Sequence, residues 1–529
     1  MKQIHRLLLS LLSGILLSFP WLGLPGWVLF VAFVPLLILD NYFLKYKTTF
    51  PVASFWGYTF LTFLVWNIAS SWWMAKVSVS GVGTAMVLNA FVMSLVWWAA
   101  HSIRRNHSSR LGYIALVVFW ISLEYFQFNW DIEWPCLQLG SGLAWHVEII
   151  QWYEYTGTFG GTFWILALNI LAFRLALTIR QKQYNRVYRI NLVIFLILLV
   201  VPLFFSMVMY SSYKEAANPK TIAIVQPNVD PYGEQFDMDA ETDKLENFLR
   251  LAGEVTTDET DIIVGPETVF ENQWYWNEDS FKTNGFLQRI NVFQNKFKKA
   301  ETVFGVSSFK VYPNKEKATI TARNKDGVIY DRFNTALYLN REGQTQVYHK
   351  TKLVSGVEKT PFLRHLPFAK DFVIDLGGAY GTLGQQKEAS NFTLEGGTRV
   401  APVICFESVF GAYVTEYVKK GAELIVIITN DGWWKNSRGY KQHLLFSQLR
   451  AIETRRSIAR AANTGTSCFI NQRGDVIQPT AWWKEAAIKG TVNANNELTF
   501  YVKHGDYLGR GAVFISVLLV LFFLVKRFK

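Results

Sequence analysis

The chain has 529 residues, too many for one hydrophobic core when domains usually run to about 100–200 residues. Half of the residues are apolar and only 18% are charged, against roughly 25% in ordinary soluble domains. A single soluble enzyme is excluded, and 36 glycines with 15 prolines exclude collagen-like and disordered classes. The apolar excess is unevenly placed: residues 1–210 carry 13 Lys/Arg and 6 Asp/Glu, and the remainder carries 40 and 35. The first stretch reads as membrane and the second as a water-soluble domain. The net charge of +12 collects among the membrane segments and at Lys526, Arg527 and Lys529. That pattern is topological and no nucleic-acid footprint.

Crossing a bilayer takes about 20 predominantly apolar residues in a helix. Runs of that kind fall at 4–21, 24–39, 53–72, 82–100, 113–128, 161–177, 190–210 and 509–525. The first two read either as one long helix or as a hairpin; no small-residue cleavage site marks a signal peptide. Charge decides between them. Lys2 and Arg6 precede the first run, Lys45 and Lys47 follow the second, Arg104, Arg105 and Arg110 follow the fourth, and Arg180, Lys182, Arg186 and Arg189 follow the sixth. Basic loops stay in the cytoplasm. An even number of crossings therefore separates Lys2 from Lys45, and Pro20 and Pro25 mark a helical hairpin. The expected architecture is a multi-span α-helical membrane domain of eight transmembrane helices. Seven lie in residues 1–210, an external domain spans 211–507, and 508–529 carries the last. The spans are expected to be nearly charge-free, with Arg174 and Glu124 the main exceptions.

The external domain has a different pattern. Short β-rich runs at 221–225, 261–264, 302–309, 335–339, 400–405 and 424–429 alternate with mixed-polarity stretches, and 440–460 reads as a helix. Continuous apolar strands with helices between them predict an α/β sheet covered by helices. Three strand ends carry polar residues that a structural strand does not need. Glu267 follows Gly265 and Pro266, Lys350 follows Tyr348 and His349, and Cys405 ends an apolar strand two residues before Glu407. Ligands in open α/β sheets gather at such ends. Taken singly, each has a bland reading: a small core residue for the Cys, solvated loop residues for the Glu and the Lys. The three cysteines, Cys136, Cys405 and Cys468, are too widely spaced for a zinc site.

Together and in this order, Glu267, Lys350 and Cys405 resemble the carbon–nitrogen hydrolase (nitrilase) superfamily. The likeness continues through Asn430 to Trp434 and Arg460 to Gly465, covering nearly all of residues 220–490. It implies an αββα sandwich and a Glu–Lys–Cys triad: Cys405 as nucleophile, Glu267 as general base, Lys350 as oxyanion stabiliser. The N–H of Phe406 would be the second oxyanion donor. Glu358 and Glu407 would hold Lys350 and the pocket, and Asn430 and Trp433 would line it. With helices on both sides, such a domain is similar to the apolipoprotein N-acyltransferases, as is the loop from Glu133 to Gly140. The pattern departs from the usual one at Gly265, Ser355, Phe406 and Cys136. Cys136 and Cys468 read as packing residues.

That resemblance implies a ping-pong reaction. Cys405 takes an acyl chain from a phospholipid, and the α-amine of a diacylglyceryl-cysteine apolipoprotein takes it from the thioester. It implies an inner-membrane protein with its catalytic domain on the periplasmic side, no metal or cofactor and no nucleic-acid partner. Two other readings stay open: a membrane-tethered amide hydrolase, and a lipid-binding or transport protein with an inactive domain. Apolar side chains around Trp274–Trp276 and 360–368, Phe362 among them, are expected to form a lid dipping into the outer leaflet.

Overall fold

The computed structural model describes residues 1–235, 237, 239–271, 276–362 and 382–527. Two compact units make up the chain: Met1–Tyr213 with His504–Lys529, and Lys214–Lys503.

The first unit is helical: α1 (Gln3–Ser18), α2 (Val34–Lys45), α3 (Ala53–Ser71), α4 (Val79–Asn106), α5 (Ser109–Asn129), α6 (Thr158–Arg180), α7 (Arg186–Ser212) and a last helix, Tyr507–Arg527. Among the described residues, six helical segments are long and apolar enough to cross a membrane. They contain α2, α4, α5, α6, α7 and the last helix. The 16-residue α1 is a shorter apolar helix, and α3 lowers its apolarity with buried Thr59, Thr62, Asn67, Ser70 and Ser71. The chain breaks between α1 and α2, with Pro20 opening a short 3-10 turn and Pro25 preceding another. That is the hairpin reading and not the single long helix, because proline cannot supply the N–H an uninterrupted helix needs.

The spans are less free of charge than expected. Asp40 on α2 lies buried against His101 and Arg104 of α4, and Arg104 reaches Tyr113 on α5 at 2.9 Å. Arg104 therefore belongs to the last turn of α4 and not to a basic loop after it. His101 and Arg104 stand three residues apart, on one helix face. Glu124 is 1% exposed and accepts from Trp120 Nε1 at 2.9 Å, Leu139 N at 2.9 Å and Thr162 Oγ1 at 2.6 Å. It thereby ties a loop to α5 and α6.

The second unit is a four-layer sandwich. One sheet runs in the order β13 (Ala486–Asn493), β1 (Pro219–Gln226), β2 (Ile262–Val264), β3 (Glu301–Tyr312), β5 (Val328–Leu339), β4 (Arg323–Lys325), with β6 (Thr345–His349) also paired to β5. The other runs β12 (Val476–Ile477), β11 (Cys468–Ile470), β10 (Ile458–Ala462), β9 (Leu424–Thr429), β8 (Arg399–Ile404), β7 (Phe392–Thr393). Alternation along the first sheet divides its side chains between two cores. Ile222, Ile224, Ile262 and Val264 join Val403, Ile425 and Ile427 of the second sheet. Ala223, Val225 and Ile263 join Leu245 and Phe248 of α8 (Glu241–Val255) and Leu287 and Ile290 of α9 (Gly285–Gln294). The second sheet is covered by α10 (Gly411–Lys419) and α11 (Gly439–Thr454), so β9 is buried on both faces and reads as an unbroken apolar run. The helix expected at 440–460 stops at Thr454; Arg455 turns left-handed with φ 50°, and 458–462 is strand β10.

Candidate active site

The two sheets deliver polar side chains at the carboxyl ends of their strands. Lys350 follows β6 directly, Cys405 follows β8, Asn430 follows β9, and Glu267 stands three residues beyond β2. Glu267 comes in close over β3: the Pro266 carbonyl accepts from Gly305 N at 2.9 Å, and a Cβ on Gly305 would stand 2.7 Å from the Glu267 Cα. Only glycine allows that approach.

Lys350 is 1% exposed, and its Nζ donates to Glu267 Oε1 at 3.0 Å and to Glu358 Oε1 at 2.9 Å. Burial disfavours the Lys350 ammonium, but the two carboxylates outweigh burial and hold its pKa well above the ordinary value. Asn334 joins the same oxygens: its Nδ2 donates to Glu267 Oε1 at 2.7 Å and to Glu358 Oε1 at 3.0 Å. The β5–β6 register sets this up, since Thr335 pairs with His349 and Lys350 N donates to the Asn334 carbonyl at 2.8 Å. The remaining Glu267 oxygen accepts from Asn430 N at 3.0 Å, and Glu358 Oε2 accepts from Val354 N at 2.8 Å. The Glu267 carboxylate is thus held by three donors, which fix its orientation.

Cys405 is 8% exposed and has φ 48°, a left-handed conformation uncommon for a residue with a Cβ. It opens a short 3-10 turn, Cys405–Val409, so that strand and turn meet in a sharp elbow. Burial raises the thiol pKa, the Glu267 charge raises it further, and Lys350 opposes both.

Glu407 is fully buried. Its Oε2 accepts from Ile404 N at 2.9 Å, and its Oε1 from Thr351 N at 2.7 Å, Lys352 N at 3.2 Å and the Tyr348 hydroxyl at 2.6 Å. It fastens the Cys405 elbow to the backbone beside Lys350 instead of touching the Lys350 amine. Burial raises its pKa, against these hydrogen bonds. Phe406 packs its ring on Phe410 at 5.1 Å between centroids. Asn430 Nδ2 donates to Gln235 Oε1 at 2.8 Å, and the Trp433 carbonyl accepts from the Tyr232 hydroxyl at 2.6 Å.

The lid expectation divides. Trp274 and residues 363–368 lie outside the described residues. Trp276 is fully buried and stacks on Phe270 at 5.6 Å, so it belongs to the core and not to a lid. Phe362 is 38% exposed. The Cys136 carbonyl accepts from Trp21 Nε1 at 2.8 Å, and Cys468 is a core residue.

Sequence reasoning missed Asn334, Gln235 and His443; it singled out the stretches holding Asp431 and Arg460 but not their meeting with His443 in one buried group. Asn334 carried a readable signal: a polar side chain within an otherwise apolar strand run needs a partner.

A family model described as carbon-nitrogen hydrolase matches residues 221–497. The chain belongs to the carbon–nitrogen hydrolase family. Within that family it has a membrane unit, and a second model, the apolipoprotein N-acyltransferase N-terminal domain, matches residues 13–171. Curated relatives match along nearly the whole chain. The apolipoprotein N-acyltransferase of Chlorobaculum tepidum is 27% identical, covering 98% of this chain and 96% of the relative. That of Geobacter metallireducens is 26% identical over 94% and 91%, and that of Thermotoga maritima 26% over 98% and 94%.

Proposed function

We propose that this carbon–nitrogen hydrolase family member is a membrane acyltransferase that moves an acyl chain from a phospholipid to the α-amine of a diacylglyceryl-cysteine lipoprotein. The observation that carries the reading is the buried Glu267–Lys350 ion pair, with Glu358 on the same amine and the charges of Glu267 and Lys350 acting on the thiol of Cys405, in a chain with a multi-helix membrane unit. Relatives named apolipoprotein N-acyltransferase along nearly its full length support the substrate class.

Glu267 takes the Cys405 proton as the sulfur attacks the ester carbonyl. Lys350 and the N–H of Phe406 stabilise the oxyanion. Collapse expels the lysophospholipid alkoxide, which takes the proton from Glu267, and leaves an acyl thioester. The acceptor amine attacks that thioester, gives its proton to Glu267, and departs as an amide while the proton returns to the sulfur. The ester already carries the acyl group in activated form, so no ATP is needed outside the cytoplasm. Eight crossings with residues 211–507 on the periplasmic side of the bacterial inner membrane complete the proposal.

Mass spectrometry of the full chain incubated with phospholipid alone tests it. A fatty-acyl mass on Cys405, released by hydroxylamine and discharged by a diacylglyceryl peptide with a free N-terminal amine, is expected. Free fatty acid without the thioester indicates a hydrolase, and N-acyl peptide from Cys405→Ala would end the covalent mechanism. Cys136→Ala retains most activity.

A further inference from the structure

The Cys405–Phe406 peptide bond has two working ends. Its N–H, on Phe406, is the second oxyanion donor of the proposed mechanism. Its carbonyl, on Cys405, points the opposite way because the peptide unit is planar and trans, so whatever holds the carbonyl also aims the N–H. Two side chains hold it. The Ser408 hydroxyl donates to the Cys405 carbonyl at 2.7 Å, and His443 Nε2 donates to it at 3.1 Å. Both residues are buried, with His443 4% exposed.

The His443 ring is itself fixed from behind. Its Nδ1 lies 2.9 Å from Asp431 Oδ1, and Asp431 Oδ2 accepts from the Arg460 guanidinium at 2.8 Å. The Trp434 indole meets the ring edge-on at 5.2 Å between centroids. Asp431 and Arg460 are fully buried. Burial alone would raise the Asp431 pKa, but Arg460 and His443 bring it down to about 2, so the carboxylate is an anion at every working pH. Nε2 also lies 3.1 Å from the Ser408 hydroxyl oxygen, and Nδ1 lies 3.2 Å from Arg460 Nη2. A carbonyl oxygen can only accept, so its hydrogen bond with His443 places a proton on Nε2, and Asp431 with Arg460 fixes the ring behind that N–H. Among the described residues His443 and Arg460 make no hydrogen bond to Glu267, Lys350 or Glu358, which bond with Asn334, Asn430 and Val354; the Asp431 charge raises the pKa of the Cys405 thiol, and Thr429 Oγ1 donates to Asp431 Oδ1 at 3.2 Å.

We infer that His443, braced by Asp431 and assisted by Ser408, is a positioning residue that sets the Cys405–Phe406 peptide plane so that the Phe406 N–H faces the developing oxyanion. The left-handed φ of 48° at Cys405 makes such a brace necessary, since that conformation persists only when its surroundings over-determine it. The inference rests on the acyltransferase reading of the site. It assigns a role to a histidine that sequence order alone leaves as an anonymous helix residue.

The oxyanion is the handle for the test. Acyl transfer to Cys405 passes through a tetrahedral oxyanion, whereas alkylation of the same sulfur by iodoacetamide displaces iodide and forms none. Full-length protein in detergent is assayed for single-turnover thioester formation with a diacyl phospholipid and, separately, for alkylation, both read at the Cys405 peptide. His443→Leu is expected to slow thioester formation about 10²–10³-fold, the range for losing one oxyanion donor, with alkylation within about twofold of wild type. His443→Gln, which keeps an N–H donor in reach of the carbonyl, is expected to recover to within about tenfold. Ser408→Ala, a small change that keeps the fold should His443→Leu fail to express, is expected to slow thioester formation selectively as well. Equal loss of acylation and alkylation, or no loss of acylation in either variant, overturns the inference while leaving the acyltransferase reading intact. A wild-type protein that forms no thioester removes that reading, and this inference with it.

Discussion

At the scale of single residues, the thiol of Cys405 is shaped by two opposed charges. Glu267 raises its pKa and Lys350 lowers it, on top of the rise from burial. Removing the negative charge while keeping the shape, in Glu267→Gln, therefore eases ionisation of the sulfur and removes the base. Iodoacetamide should alkylate Cys405 of that variant faster than wild type at pH 7, while thioester formation falls by roughly 10²–10⁴-fold. Thioester formation that stays at the wild-type rate in that variant counts against Glu267 as the base. Asp431 gives a pH prediction of defined sign. Its pKa falls from 3.8 to about 2 on folding. The resulting stabilisation, roughly 2 kcal/mol from about 1.4 kcal/mol per unit, is complete above the unfolded pKa and is lost as pH falls through the folded one. The stability gap between wild type and Asp431→Asn should accordingly narrow by about that amount between pH 5 and pH 2, followed by thermal unfolding.

At the scale of elements, register does the work that motif spacing suggests. Glu267 reaches the site because β3 presents Gly305 where the chain crosses it, and Asn334 reaches both carboxylates because β5 pairs with β6 one residue short of Lys350. Gly305→Ala places a methyl against the Glu267 backbone and should lower kcat more than tenfold, a displacement of the order of 1 Å costing about 10²-fold in well-positioned sites. Unchanged kcat would mean that the crossing is more compliant than its 2.7 Å approach indicates. In the membrane unit, Asp40 unites α2, α4 and α5 through His101, Arg104 and Tyr113. Breaking a buried pair by removing one partner typically destabilises by about 3–5 kcal/mol. Asp40→Leu should therefore lower the thermal midpoint of the detergent-solubilised protein by several degrees, and Asp40→Leu with Arg104→Met should recover much of the loss.

At the scale of the whole molecule, the distribution of basic loops makes a testable map. Single cysteines introduced at Lys310 or Lys420 should react with a membrane-impermeant maleimide from the periplasmic side, and those at Arg105 and Arg186 only after the membrane is opened. The reverse pattern would overturn the eight-crossing arrangement. The sequence by itself determined the division into a membrane part and a soluble part, because apolarity over about 20 residues and the clustering of charge are local quantities. It also singled out Glu267, Lys350 and Cys405, through their resemblance in order and setting to the carbon–nitrogen hydrolase triad, and Glu267 and Lys350 do meet in one buried ion pair. The proline break between α1 and α2 was legible for the same reason: a missing N–H acts where it stands. Tertiary structure alone decided which polar residues surround Glu267, Lys350 and Cys405. Asn334, Asp431, His443 and Arg460 acquire their partners through pairing of distant strands and through packing of α11 over the second sheet, and no periodicity encodes those meetings. It likewise decided that Trp276 is core, that Asp40 is paired inside the helices, and that 458–462 is strand. Burial and pairing are properties of the assembled layers, and a residue's neighbours along the chain say little about the ones it meets across a sheet.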